Sequence, residues 1–528
     1  MRLIQRLPAS EAIKPLRPSK ERQLALRSWL MTEVEDAFSS LQPQHSLYTE
    51  LLKVYEGVPD RRIRNIPYEN APNIVVTLAA IAADAIYAQA IDLIFSINPV
   101  ITARIIGTSD TSEREERVAT GKAMQRFINM TVNQRNGRLR AAADHSILDD
   151  VQLGTGIFYI PWVDAVKKTD ISRIKFRGPM VFSHPIEDFI VPGGSTDDLQ
   201  LTRWMALRFW PTEDELIAQG EAMKLNVSQA QPAEGVDFVR SRRETLGRTN
   251  SNQRAQTKIF EILNIYCSFD IDGDGEDEEL LVFYDRTSQN IMGIKYGPYD
   301  RRPATAMRYQ IRAHLFAGIG VIEMMQEYQK EVSDTHNARM ANMHLANTRM
   351  FKGPYGVVEG GNMKVWAGRY LESNDADKID TLTLADIYSS STEAEAITIT
   401  LAERRVGFND ISKASQLLGS RTPATTALSG LQQMNRRFAP AFESMRIGVA
   451  EAAKHCLYRY QERILEGDTE VEDFIRTVLG EEDGNRVVLA LRDDNFDDEL
   501  IIELTASSAS LNRDLDKQNN MLLVNILI

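Results

Sequence analysis

The sequence predicts an α+β fold in which long amphipathic helices flank a β-rich middle, and three observations carry that expectation. Residues 318–353 read as a single helix, about 45 Å long at the α-helical rise, opened by Gly318 and Gly320 and closed by Gly353-Pro354. Val321, Met325, Tyr328, Val332, His336 and Met343 recur along it at steps of three and four. From residue 157 to 210, and again from 259, short segments rich in Phe, Ile, Val and Trp are broken by Gly178-Pro179 and Pro192-Gly193-Gly194, which is strand punctuation. Residues 426–466 then carry Leu428, Leu431, Phe438, Phe442, Met445, Val449, Ala452 and Cys456 on one helical face, with Pro440 placed to kink it. The first helix is too long to bury its stripe in one small core, so packing beside copies of itself, as a ring or bundle, is expected.

Taken in order, residues 19–41 form a helix with Leu26, Trp29, Leu30, Val34, Phe38 and Leu41 on one side, and residues 47–55 a second, short one. Residues 74–97 are apolar enough to suggest a membrane span. Asp84 and Asp92 interrupt the run, each acid costs roughly 2.5 kcal/mol or more at bilayer depth, and alanine outnumbers leucine, so a buried core helix is expected. Asn98-Pro99 stops it. Helices follow over 113–133 and 137–153. Gly154 and Gly156 precede a strand over 157–162 instead of opening a helix, which argues against a phosphate-binding loop. Residues 220–258 are polar and hold Arg240, Arg242, Arg243, Arg248 and Arg254, either a nucleic-acid contact or a solvated run.

A strand over 259–269 meets Asp270-Ile-Asp272-Gly-Asp274-Gly275, the opening pattern of a calcium loop, with Glu278 at its ninth position. The twelfth position is Leu281 and the flanks are strands, so an EF-hand is excluded. Two readings stay open: Asp270, Asp272, Asp274 and Glu278 bind calcium, or the turn is an acidic hairpin tip joining 264–269 to 280–284 with Gly275 at positive φ. A second amphipathic helix spans 393–418, with Ile397, Leu401, Arg404, Phe408, Ile411, Ser415 and Leu418 forming a heptad-like seam. Beyond the long helix, residues 486–491 and 499–504 read as strands, and a last helix starts near Leu511.

Composition bounds the function. A chain of 528 residues exceeds one compact core, and Cys267 and Cys456 provide neither a disulfide framework nor a metal spacing. No nucleotide-binding loop, HExxH, GxSxG or zinc-deaminase spacing is present, and the histidines are scattered. His336 and His344 are two turns apart on one helix, too far to share a metal. The acidic run Asp493, Asp494, Asp497, Asp498 and Glu499 lacks a patterned Lys or His, so no enzyme and no cofactor other than calcium is expected.

The order of elements resembles tailed-phage portal proteins. The residues that carry the likeness are the GxG opening at Gly318, Gln326, Tyr328, Gln329, Asn337 and Asn342, the Lys352-Gly353 end, a loop-rich insert, a second helix, and Arg421-Thr422-Pro423-Ala424-Thr425 before a very long helix. The resemblance implies a portal-type subunit: a wing over 1–317, helical at first and β-rich over 155–300; a first stem helix over 318–349; a clip over 350–391; and a second stem helix over 392–418. It continues as a tunnel loop over 419–425, a kinked wing helix over 426–466, a wing β segment over 467–509, and the start of a truncated crown over 510–528. Stem positions would include Arg339, Arg404 and Phe408; Ser420, Arg421, Thr422 and Thr425 would face double-stranded DNA in the channel.

Further implications are a ring, usually of about twelve subunits, at one capsid vertex of the virion, assembled in the host cytoplasm. Its partners would be the terminase large subunit, tail adaptor proteins, and major capsid and scaffolding proteins, with no membrane. A net charge of −13 suits a conduit, because a wall that gripped phosphates would hinder sliding. The alternative is a calcium-modulated, metal-dependent enzyme or nuclease acting as a monomer or dimer.

Overall fold

The computed structural model describes residues 16, 18–59, 71–95, 99–105, 111–131, 137–168, 173–193, 198–233, 258–297, 301–347, 350–352, 354, 380–382, 388–406, 424–493 and 500–504. The fold is α+β. Helix α1 (Lys20–Tyr55) is continuous, with Pro43 inside it and the Ser19 side chain capping its first turn. Two separate helices were expected here. The helix runs through the proline because its two halves are anchored in different cores. Leu26, Leu30, Val34 and Ala37 pack with Trp204, Ile265 and Val282, whereas Tyr48 and Leu51 join the main core.

Helix α2 (Leu78–Phe95) buries Ala79, Ala82, Ala83, Ile86, Ala90 and Ile94. It packs on α1, on α4 (Leu139–Leu153) and on the long helix α6 (Val321–Asn347). By length and mean hydropathy, 1.6, it could cross a bilayer, but its alanine face is spent on this core. Between α2 and α4 lie β1 (Ile101–Ile105) and α3 (Thr111–Thr131).

The β-rich middle divides into sheets. Strands β2 (Thr155–Tyr159) and β5 (Phe182–His184) join β11 (Ala304–Arg308) in a three-stranded sheet; β3 (Trp162–Lys168) and β4 (Arg173–Pro179) form a separate hairpin. A five-stranded antiparallel sheet is assembled from β6 (Phe189–Ile190), β7 (Trp204–Phe209), β8 (Ile262–Phe269), β9 (Glu278–Asp285) and β10 (Asn290–Tyr296), with β10 and β6 at its edges. Inside this sheet region Arg208 is buried between Asp188 (2.8 Å) and Glu261 (3.3 Å), and Arg302 holds Glu279 at 2.6 Å. Buried charges persist here because each is paired and hydrogen-bonded. Helix α5 (Glu213–Met223) was not anticipated, although Thr212 and Glu215 form a capping box at its start.

After α6 come β12 (Met350–Lys352) and β13 (Asp380–Leu382), paired with each other, then α7 (Tyr388–Val406) and α8 (Ala424–Leu465). Helix α8 contains Pro440, and it buries Met445, Val449, Ala452 and Cys456 as its periodicity predicts. Helices α9 (Thr469–Leu479) and α10 (Glu481–Leu491) follow, and β14 (Leu500–Leu504) pairs antiparallel with β1.

Two further expectations need correction. Residues 486–491 are helical, not a strand: Gly480 sets the chain direction, three acids occupy the first turn of α10, and Gly484, Val487, Val488 and Leu491 are buried at helical spacing. The α6 stripe, in addition, needs no second copy over its first turns. Val321, Met325 and Val332 are covered within the same chain, where α6 packs on α1, α2 and α4.

Candidate functional site

Helices α6 and α7 form an antiparallel pair. Glu395 of α7 pairs with Arg339, which also donates to His336 Nδ1 at 3.0 Å, while the Thr398 hydroxyl donates to Glu331 Oε1 at 3.1 Å. The side of α7 turned inward carries Thr398, Ala402 and Val406, all buried. The seam read from the sequence faces the other way: Ile397 and Leu401 are 55% and 47% exposed. Arg404 is exposed as well. Phe408, Ile411, Ser415 and Leu418 lie outside the described residues. At the far end of α6 the β12–β13 pair adds a small strand element, with Lys352 and Asp380 3.1 Å apart on its surface.

The opposite side of α6 carries a polar ladder one turn apart per step. Asn337 exchanges two hydrogen bonds with the peptide of Ile74, accepting from its N–H at 2.8 Å and donating to its C=O at 2.9 Å. Ser333 Oγ accepts from Val76 N–H at 3.1 Å. Gln329 accepts from Ala79 N–H at 2.9 Å and donates to Val54 C=O at 2.8 Å. Ala79 belongs to the first turn of α2 and Val54 to the last turn of α1, where backbone groups lack intrahelical partners. One buried amide thus caps two helices and ties both to α6. Of the other stem positions, Tyr328 packs against the main core, and Gln326 and Asn342 are half-buried.

The two glycine motifs meet. A Cβ built on Gly154 would stand 2.5 Å from Gly320 N, one on Gly318 would stand 2.1 Å from Gly154 O, and one on Gly320 would stand 2.3 Å from Gln152 O. Gly318 N–H donates to Thr155 Oγ1 at 2.9 Å. Gly154 also ends α4 in the left-handed region, at φ +90°. No phosphate loop exists here; the glycines let the base of α6 lie directly on the start of β2. Beside this crossing Asp150 is fully buried, and neither carboxyl oxygen has a hydrogen-bond partner among the described residues. Burial pushes its pKa well above the usual carboxylate range; the Tyr309 and Gly156 N–H groups and the Arg308 guanidinium act the other way. Tyr309 N–H also donates to Gly154 O at 3.2 Å, and Arg308 Nε to Phe316 O at 2.6 Å.

The acidic turn joins β8 to β9 as a hairpin, with Phe269 opposite Glu278. Gly273 and Gly275 both have positive φ, +92° and +94°. The carboxylates mostly cap the turn's own backbone. Asp270 accepts from Gly273 and Gly275 N–H, Asp272 from Asp274 N–H, Asp274 from Glu276 N–H, and Glu278 from Ile271 N–H at 2.8 Å. Arg22 of α1 stands 3.9 Å from Asp270. One oxygen each from Asp270, Asp272 and Glu278 comes within a 4.8 Å spread. Asp274 is not part of that group, so the structure assembles three of the four carboxylates named from the sequence. Burial raises the Glu278 pKa, helped by Asp272 and Asp274. Calcium takes six to eight oxygens, so these carboxylates would supply its anionic ligands and leave the remainder to backbone and water.

Ser420, Arg421 and Thr422 fall outside the described residues, as do most of residues 353–379 and everything from 505 on. Thr425 lies in the first turn of α8, where only the backbone is described.

The paired helices α6 and α7, tipped by two short strands, are mounted on an α+β body. Residues 105–439 match the family model for phage SU10 portal protein, more than half of the chain, and the chain belongs to that family. No curated protein matches it. Portal proteins are in general structural, not catalytic, and membership implies a place at a capsid vertex of the virion.

Proposed function

We propose that the chain is one subunit of a closed ring, of about twelve copies, that forms the conduit for double-stranded DNA during packaging and ejection. The observation that supports this best is the α6–α7 hairpin. Its inner side is tied by Arg339–Glu395 and Glu331–Thr398, while the apolar side chains Ile397 and Leu401 stay exposed on a single chain. Neighbouring exposed aliphatics one turn apart on this helix fit a surface that another subunit covers.

In this reading α6 and α7 are the stem, the β12–β13 end belongs to the clip, and Arg421 in the connection to α8 narrows the tunnel. The clip is the platform for the terminase large subunit and later for tail adaptor proteins; capsid and scaffolding proteins surround stem and wing, and assembly takes place in the host cytoplasm. The energy for DNA movement comes from the motor. The acidic balance of −13 keeps phosphates from sticking to the wall.

Native mass measurement and negative-stain imaging of salt-washed protein test the ring. Closed rings with a hole wide enough for duplex are expected; a monomer or dimer stable across salt and concentration would favour the calcium-modulated enzyme instead. With rings in hand, Arg421→Ala is expected to lower packaged DNA while leaving the ring intact, and unchanged packaging would end that role for Arg421.

A further inference from the structure

Two exposed patches lie on opposite flanks of α6, and their chemistries match. At 100° per residue, Gln329, Ser333 and Asn337 point to one side of α6, and Glu331 and Arg339 to nearly the opposite side. The first side holds the segment that leads into α2; the second holds α7. On the first flank Val58, Ile74 and Ile81 are 38%, 46% and 55% exposed. Gly57 lies against Thr77 and the Tyr55 hydroxyl donates to Asp84 at 2.6 Å, so the end of α1 meets the segment that leads into α2. Exposed acids, Glu56 and Asp84, border these aliphatics. Ile81 is the one large apolar side chain of α2 that is exposed; the other exposed positions of the helix are Asp84, Ala88 and Asp92. On the second flank the exposed aliphatics Ile397 and Leu401 are bordered by Arg404 and Arg405, also exposed.

We propose that these patches are the two halves of one head-to-tail contact. The ridge of Ile397 and Leu401 in one copy seats on Val58, Ile74 and Ile81 of the next, with Arg404 and Arg405 set against Glu56 and Asp84. The proposal rests on the ring reading above and assigns the surfaces that would close it. A self-complementary patch stops at a dimer, whereas two different patches on opposite flanks propagate from copy to copy and can close. The charges enforce the pairing, since like patches repel and unlike ones attract. The same acidic border disfavours a bilayer as the occupant of the α2 flank.

The test is a cross-link between Ile81→Cys and Leu401→Cys with a short bis-maleimide, which the buried native thiols Cys267 and Cys456 do not disturb. The double variant is expected to give a ladder of covalent multimers, a mixture of the two single variants only dimers, and either single variant alone nothing. Rings that form without any such cross-link would overturn this contact and leave the ring reading standing; a chain that never forms rings overturns both. A covalent dimer from Ile81→Cys alone would mean α2 meets α2, and also overturns it. As a second measurement, Arg404→Glu with Arg405→Glu should raise the protein concentration needed for rings by about tenfold. Adding Glu56→Lys with Asp84→Lys should bring it back, and failure to recover counts against the proposed pairing.

Discussion

Gly318 and Gly154 touch backbone to backbone: a methyl group on Gly318 would lie 2.1 Å from the Gly154 carbonyl oxygen. The contact seats the base of α6 on the corner between α4 and β2, so the direction of the long helix is set where two peptides cross. The neighbour is backbone and cannot turn aside as a side chain would. Gly318→Ala is therefore expected to destabilise the fold by about 1–3 kcal/mol, read as a lower thermal midpoint, with the hairpin helices still formed by circular dichroism. An unchanged midpoint would show that the crossing can spread at no cost.

Gln329 makes a different kind of joint, because its amide serves Ala79 of α2 and Val54 of α1 together. Gln329→Leu keeps the volume and leaves both backbone groups without their side-chain partner, at a cost of about 2–4 kcal/mol. Hydrogen exchange at the Ala79 amide should accelerate more than at amides elsewhere in α2. Uniform acceleration would instead indicate global loosening, and would remove the capping role.

Asp150 links stability to pH. Its folded-state pKa is raised by burial, so the unfolded chain loses this proton at lower pH than the native one. Between the ordinary carboxylate pKa and the raised native value the native state binds more protons, and stability falls as pH rises. Asp150→Asn removes that contribution. The variant should be more stable than the parent near neutral pH, with the difference vanishing as pH drops below the ordinary carboxylate range. A variant less stable at every pH would mean that the carboxyl is held by bonds the amide cannot replace.

Calcium titration by calorimetry addresses the acidic turn. Three carboxylate oxygens converge, but the same groups already accept backbone N–H bonds and Arg22 sits beside Asp270. Binding in about the millimolar range is expected, abolished by Asp272→Ala. Absence of any heat ends the cation reading; binding in the sub-micromolar range would mean that the turn reorganises around the ion.

Much of the helical framework is legible in the amino-acid order. The helix over α6, the long α8 with Pro440, and the hairpin turn with Gly275 at positive φ follow from periodicities and turn chemistry within short windows. Misreadings came where a local signal was ambiguous or outvoted. Val487, Val488 and Leu489 favour a strand by composition, yet the acids before them start a helix. Two helices were expected over 19–41 and 47–55, yet burial on both sides of Pro43 carries α1 through as one. The capping box at Thr212 shows that α5 could have been found.

The candidate site divides in the same way. The sequence by itself determined that Gln329, Asn337 and the glycines at 154, 318 and 320 stand at telling positions, and that the chain resembles a portal subunit. Only the tertiary structure decided what they do. Gln329 serves a backbone amide 250 positions away, and Gly318 meets a motif 163 positions away. It also decided which face of α7 stays open, and that Asp274 stands apart from its three neighbours. The physical reason is that backbone dihedrals and their periodicities are local, whereas the partner of a buried donor or the steric limit at a Cα depends on which distant segment the folded chain brings against it.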